Sequence, residues 1–437
     1  MVSNGAGTLW VAIIGAGPAG YYTAEALTKG EADIRVDIID RLPTPYGLIR
    51  AGVAPDHQSI KNVSRRYAAT NDRENVRFVG NLTLGRDISM AELKDLYDVV
   101  ILATGTPADR PLGVDGEDLK GVYGSSAFVG WYNSHPDYRD LNPDLRIASV
   151  AVIGNGNVAV DVARILAKTS AEMAETDLAK HAANCIHGSP IKDIYILGRR
   201  GPMEAAFTPK ELSELNQMEN CVALVDEAQL PSSKSDTDLV GALKKNMVHL
   251  RAMAKNKPDE KPVRLHIKFY LRPTEIIGDG SVCCLKLEET LVEDGKCIGT
   301  GIYETLPAGL VVPCIGYRAS AIEGVPYNEG RGIFTNNEGR IDDQLYCVGW
   351  ARRGPTGTIG TNKPDGIAIA AKILSEVQTG GKPGRKGLDL LAKQRDLHIV
   401  TFADWKKIDA AEIAAAAEGA PRAKLVDIDN MVTIAES

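Results

Sequence analysis

Two short glycine runs, each preceded by an apolar stretch, limit what this chain can fold into more than any other feature. The first, Gly15-Ala16-Gly17-Pro18-Ala19-Gly20, follows the run Leu9 to Ile14. The second, Gly154-Asn155-Gly156-Asn157-Val158-Ala159, follows Val150 to Ile153. A strand entering G-x-G-x-x-G/A and leaving as a helix builds a Rossmann-type turn. Its first glycine makes the turn tight, the second lets backbone approach a pyrophosphate, and the small third residue lets helix meet strand. The helix N-terminus then offers unpaired N–H groups to the phosphate. Pro18 sits where a first helical turn tolerates proline.

The residues after each turn differ. Asp40 closes the next strand-like stretch, Arg35 to Ile39. An acid at that strand end accepts hydrogen bonds from a ribose hydroxyl pair, as in NAD or the adenosine half of FAD. After the second turn the corresponding strand, Ile194 to Leu197, runs into Gly198-Arg199-Arg200. Planar guanidinium groups suit a 2′-phosphate. The pair of sites therefore implies FAD and NADP(H) in one chain.

The predicted architecture is α/β, with two Rossmann-like dinucleotide-binding domains in the manner of glutathione reductase. The FAD domain is discontinuous: residues 1–106 form its first part and residues 317–437 its second part with a C-terminal tail. Residues 107–316 form an inserted NADPH domain. Within it the pattern predicts a long helix from 157 to about 174 and a further helical excursion over 171–190. A glycine-dense segment, Leu345 to Gly366, precedes a helix at about 366–378, and an alanine-rich helix is expected near 409–418.

Composition removes several classes. The seven cysteines, 185, 221, 283, 284, 297, 314 and 347, include no C-x-x-C. That argues against a disulfide framework or a redox-disulfide reductase and fits a reducing, cytoplasmic setting. Cys283 and Cys284 are adjacent, and in a strand they would face opposite sides, which reads as a packing role. No metal-ligand spacing stands out. No apolar window approaches the roughly 18 residues a membrane helix needs, and Met1 to Thr8 lacks the basic start of a signal peptide. The formal charge of −7 disfavours nucleic acid as a partner of the whole surface.

Four further motifs carry a family resemblance. They are Tyr46-Gly47-Leu48-Ile49-Arg50-Ala51-Gly52-Val53-Ala54-Pro55-Asp56-His57, the second fingerprint continued to Asp161 and Arg164, Gly198 to Pro202, and Gly349-Trp350 with Gly354 to Asn362. In content and order they strongly resemble adrenodoxin-reductase-like ferredoxin–NADP+ reductases. The resemblance implies FAD contacts at Ala19, Asp40, Leu48, Leu84, Trp350 and Gly357, Thr358 and Ile359, beside Gly15, Gly17 and Gly20. It implies NADP(H) contacts at Gly154, Asn155, Gly156, Asn157, Arg199, Arg200, Glu211 and again Gly357. It places His57 near the flavin, in an expected hydrogen-bond network with Asp161, and Glu211 near the nicotinamide. Whether His57 itself moves a proton is left open.

The activity so implied is hydride transfer from NADPH to FAD and single-electron transfer to a ferredoxin- or adrenodoxin-type iron–sulfur protein, or the reverse. The chain's acidic balance suits an acidic partner poorly, but Lys244 to Arg272 holds nine basic residues and two acids. Lys244, Lys245 and Arg251 are candidates for docking such a partner. Two rivals remain at this point. One is a related NADPH-dependent flavoprotein that reduces a bound organic substrate or serves as an electron-input subunit; glutamate-synthase small subunits are of the latter kind, but their cysteine-rich cluster segments are absent here. The other is a non-catalytic nucleotide-binding redox sensor.

Overall fold

The computed structural model describes residues 7–437, and the reading of Met1 to Thr8 falls almost wholly outside them. The chain packs as two units: one runs to Ala108 and resumes from Gly316 to Ser437, and the other is Asp109–Ile315. Each contains a five-stranded parallel sheet, the two-sided buried kind that reads as short apolar runs.

In the first unit the strand order is Leu345–Cys347, Val99–Leu102, Leu9–Ile14, Ile34–Ile39, Val76–Val79. All four pairings are parallel. In the second it is Leu310–Pro313, Ser149–Ile153, Asp193–Leu197, Val263–Lys268, Cys221–Val225, again parallel throughout. Every residue of Val99–Leu102 and Leu310–Pro313 is buried. The α/β fold expected from the glycine runs is therefore present twice. Among the described residues no helix is long and apolar enough to cross a membrane.

Each glycine strand lies directly beside the strand that follows it in sequence. This neighbourhood puts the strand-end residue next to the glycine turn, and one hydrogen bond fixes it in both units. Gly15 N–H donates to the Ile39 carbonyl at 2.7 Å, and Gly154 N–H donates to the Leu197 carbonyl at 2.8 Å.

Three expectations need correction. The helix after the second fingerprint is Asn157–Ala167, not a run to 174. Lys168 turns extended, and Thr169 starts a new turn, Ser170–Met173, through a capping box with Glu172. The alanine-rich helix is Phe402–Ala414, begun by a Thr401–Asp404 capping box, so it starts earlier than its alanines suggest. Finally, Cys283 and Cys284 do not face opposite sides of their strand, because the register against the preceding strand slips beside them.

Candidate functional site

The first cradle is built on three glycines, and at two of them a close approach excludes any side chain. Gly15 has φ +114°, and a Cβ there would stand 2.5 Å from the Ala103 carbonyl oxygen. A Cβ on Gly20 would stand 2.2 Å from the Gly15 oxygen. Gly17 is different, since nothing lies within 4 Å of the Cβ it lacks. Two glycines thus serve the protein's own packing, and the middle one keeps a surface clear.

This asymmetry predicts separable phenotypes. Gly20→Ala should lower the melting temperature and abolish flavin retention together. Gly17→Ala should leave the flavin-free protein's melting temperature unchanged while weakening flavin binding about 10-fold or more. Scanning calorimetry and fluorescence titration of the flavin-stripped protein measure the two effects. Equal thermal losses would refute the division of labour.

The second cradle repeats the geometry. Gly154 has φ +134°, and its missing Cβ would lie 2.4 Å from the Cys314 oxygen, while the space at Gly156 is open. Ala159 fills the third position and is fully buried. Both helices that leave the cradles, Pro18–Leu27 and Asn157–Ala167, lack a side-chain N-cap and an acid in the first turn. Their leading N–H groups are set to receive an anion. Asn155 Oδ1 is buried with no hydrogen-bond partner, an acceptor suited to a ligand hydroxyl or amide. The residues of both cradles thus fit a dinucleotide.

The strand ends differ between the units. Asp40 accepts from Ala16 N–H at 2.7 Å and from Leu42 N–H at 3.0 Å. Its carboxylate therefore also clamps the glycine turn, leaving lone pairs on both oxygens for a hydroxyl pair. Burial raises its pKa, partly offset by those two backbone donors. Arg199 and Arg200 are exposed, with no ion pair among the described residues, while their backbone is held. The Arg199 carbonyl accepts from Thr290 Oγ1 at 2.8 Å and Cys297 Sγ at 3.0 Å, and the Arg200 carbonyl from Tyr270 N–H at 3.2 Å. A fixed backbone carrying two uncommitted guanidinium groups suits a phosphate.

Elsewhere in the first unit, Gly47 has φ +50°, and its missing Cβ would lie 3.0 Å from Gly17 Cα. Tyr46 N–H donates to Ala16 O at 2.8 Å, so the Tyr46–His57 motif is built onto the first cradle. Leu48 is exposed, Ala19 and His57 are buried, and Leu84 packs at the core's edge. Trp350 Nε1 donates to the Thr356 carbonyl at 3.1 Å, tying the ring to the loop that carries Gly357, Thr358 and Ile359. Gly357 has φ +81°, and a side chain there would strike Thr361.

In the second unit Asp161 and Glu211 meet through a residue to which the sequence assigned no role. Arg164 is fully buried. Its guanidinium lies 2.8 Å from Asp161, 3.2 Å from Glu214 and 3.5 Å from Glu211. The signal was the one cation in the mostly apolar helix Asn157–Ala167, three residues from Asp161 and hence on the same face. The Asn157 side-chain oxygen accepts from Thr208 N–H at 2.7 Å. Thr208 is the N-cap of Pro209–Glu214. Both the fingerprint turn and its helix therefore hold the segment bearing Glu211.

Four of the nine basic residues of the expected run are paired with acids outside it. Arg264 pairs with Asp193 at 2.5 Å, Arg272 with Glu288 at 2.5 Å, and Lys268 with Glu304 at 3.3 Å. Arg251 is gripped by Asp236 and also donates to the Pro231 carbonyl at 2.7 Å. Lys244, Lys245, Lys255 and Lys257 are exposed, with no ion pair among the described residues.

Two nucleotide cradles with unlike strand ends define a two-dinucleotide-binding fold of the pyridine-nucleotide oxidoreductase class. Residues 10–215 match the family model described as pyridine nucleotide-disulphide oxidoreductase. Over 98% of its length the chain is 38% identical to the mitochondrial NADPH:adrenodoxin oxidoreductase of Arabidopsis thaliana, covering 95% of that protein. It is 39% identical to the NADPH-ferredoxin reductase FprA of Mycobacterium leprae, with 97% of this chain and 98% of that protein covered. The solved structure of Mycobacterium tuberculosis FprA in complex with NADPH superimposes with a TM-score of 0.95 at 38% identity, covering 99% of this chain and 100% of that one. The chain belongs to the family of NADPH:adrenodoxin oxidoreductases and NADPH-ferredoxin reductases.

Proposed function

We propose that this protein is an FAD-dependent ferredoxin–NADP+ reductase that moves electrons between NADPH and an acidic iron–sulfur protein. The observation that carries this reading is the pair of matched cradles with opposite strand-end chemistry, acid in one and two arginines in the other. FAD, when bound, supplies the exchange between hydride and single-electron transfer. The chain's own residues bind and orient.

In this reading the unit ending at Ala108 and resuming at Gly316 is the FAD domain. Gly15, Gly17, Ala19 and Gly20 seat the pyrophosphate, and Asp40 receives ribose hydroxyls. Leu48, Leu84, Trp350 and Gly357 to Ile359 line the flavin. The other unit is the NADPH domain, with Gly154 to Asn157 at the pyrophosphate and Arg199 and Arg200 on the 2′-phosphate. Asn157 acts there mainly through its bond to Thr208. His57, Asp161 and Glu211 are proposed as the polar groups at the reacting rings, with Arg164 keeping the two acids in place. The seven unpaired thiols support a reducing, cytoplasmic setting. Cell fractionation tests this, and a mitochondrial result would overturn it.

The partner docks on the exposed face of the helix Gly241–Met253. Lys244 and Val248 stand one turn apart there, with Lys245 beside them; Val248 is 63% exposed and Val240, just before the helix, 80%. Apolar residues ringed by unpaired lysines suit an acidic protein. Lys244→Glu with Lys245→Glu should raise the KM for ferredoxin about 10-fold in cytochrome c reduction at low salt, and the penalty should shrink at high salt. Reduction of a small uncharged acceptor should be unaffected. Equal loss with both acceptors would place docking elsewhere. Arg251 is unsuited to this test, because its reversal also breaks the Asp236 ion pair.

A further inference from the structure

The second unit contains a three-stranded antiparallel sheet whose central strand is Ser281–Glu293, between Leu271–Asp279 and Lys296–Pro307. Strand residues ordinarily alternate between faces. Here Val282 and Leu285 are both buried, and the two residues between them are not. The pairing explains why: Ile277 opposes Cys284 but Gly278 opposes Val282, leaving Cys283 as an extra residue. This is a β-bulge, which re-aims side chains. It turns Cys283 and Cys284 to the same outer side, with their sulfurs 3.6 Å apart. Cys283 is exposed and Cys284 half-buried.

We propose that this vicinal pair is a bidentate site for a soft, thiophilic centre of the trivalent-arsenic class. The argument is geometric. Neighbouring residues hold their Cα atoms about 3.8 Å apart, short of the roughly 4.4–6.8 Å a relaxed disulfide spans. Direct S–S closure is therefore strained. A bridging atom that forms one bond to each sulfur accepts a wider separation and relieves the strain. Burial and the neighbouring thiol raise the Cys284 pKa. With an arsine oxide, two As–S bonds form and the As–O bond breaks. The two thiol protons leave with that oxygen as water, and no oxidant is required. Soft sulfur donors select such centres.

The test is intact-mass analysis of the reduced full chain titrated with phenylarsine oxide, with excess glutathione present to remove single-thiol adducts. One adduct per chain should persist and be released by 2,3-dimercaptopropanol. Cys283→Ser and Cys284→Ser, each at an accessible position, should each weaken binding about 100-fold, the loss of a chelate's effective concentration. Cys185→Ser, which removes an exposed thiol elsewhere, should change nothing. No glutathione-resistant adduct, or one that survives either single serine variant, would overturn the proposal.

Discussion

Replacing both Arg199 and Arg200 with alanine should raise the KM for NADPH about 100-fold while leaving that for NADH within about 2-fold. Hydrogen bonds to charged groups contribute about 1.5–3 kcal/mol each. The lower end applies here because both side chains are exposed; two such contacts give about 3 kcal/mol, near two decades in affinity. The fold should tolerate the change, since no ion pair holds these side chains among the described residues. Their backbone is fixed independently, through Thr290, Cys297 and Tyr270. Steady-state reduction of a small acceptor with each nucleotide measures the ratio. An unchanged NADPH-to-NADH preference would remove the 2′-phosphate assignment.

Arg164→Met should be the most damaging single substitution in the second unit. It leaves the acids gathered at Asp161, Glu211 and Glu214 without the cation that holds them. Removing one partner of a buried pair costs about 3–5 kcal/mol. Denaturant unfolding should show that loss. Arg164→Lys, which keeps the charge but not the fork, should recover part of the stability. If Arg164 positions the two acids for catalysis, the lysine variant should show a lower rate of flavin reduction with a near-normal NADPH KM. A lysine variant with normal rate and reduced stability would confine Arg164 to a structural role.

What the sequence disclosed, and what it hid, follows from the range of the interactions involved. The cradles were legible because a tight turn, an open backbone and a close helix approach each demand a small residue at a fixed spacing. The strand-end contrast was legible because a parallel neighbour delivers its last residue to the turn. Three-dimensional pairing was not. The basic run between Lys244 and Arg272 looked like a strong positive patch, but Asp193, Asp236, Glu288 and Glu304 lie outside it and neutralise much of it. Only the lysines without such partners remain as a surface. Arg164 was visible as a lone cation in an apolar helix, yet its bond to Glu214 and its closeness to Glu211 depend on a helix 45 residues later.

Some misses were local and readable in principle. Thr169 and Glu172 have the capping-box spacing that begins a new helix, as do Thr401 and Asp404 in form. Apolar and alanine content masks those signals, which makes one helix read too long and the other too late. The bulge at Cys283 is of another kind. Strand periodicity specifies alternation, and only the pairing with Leu271–Asp279 shows where one residue is extra.

The central claim is that one chain holds an electron-transferring flavin and discriminates for NADPH. Anaerobic stopped-flow absorbance of the purified protein tests it most directly: first with NADPH or NADH, then with oxidised ferredoxin. The expected result is a flavin spectrum that bleaches faster with NADPH than with NADH and recovers when ferredoxin is added. A protein that cannot be reconstituted with FAD, or whose bleached flavin is not reoxidised by ferredoxin, would contradict the account.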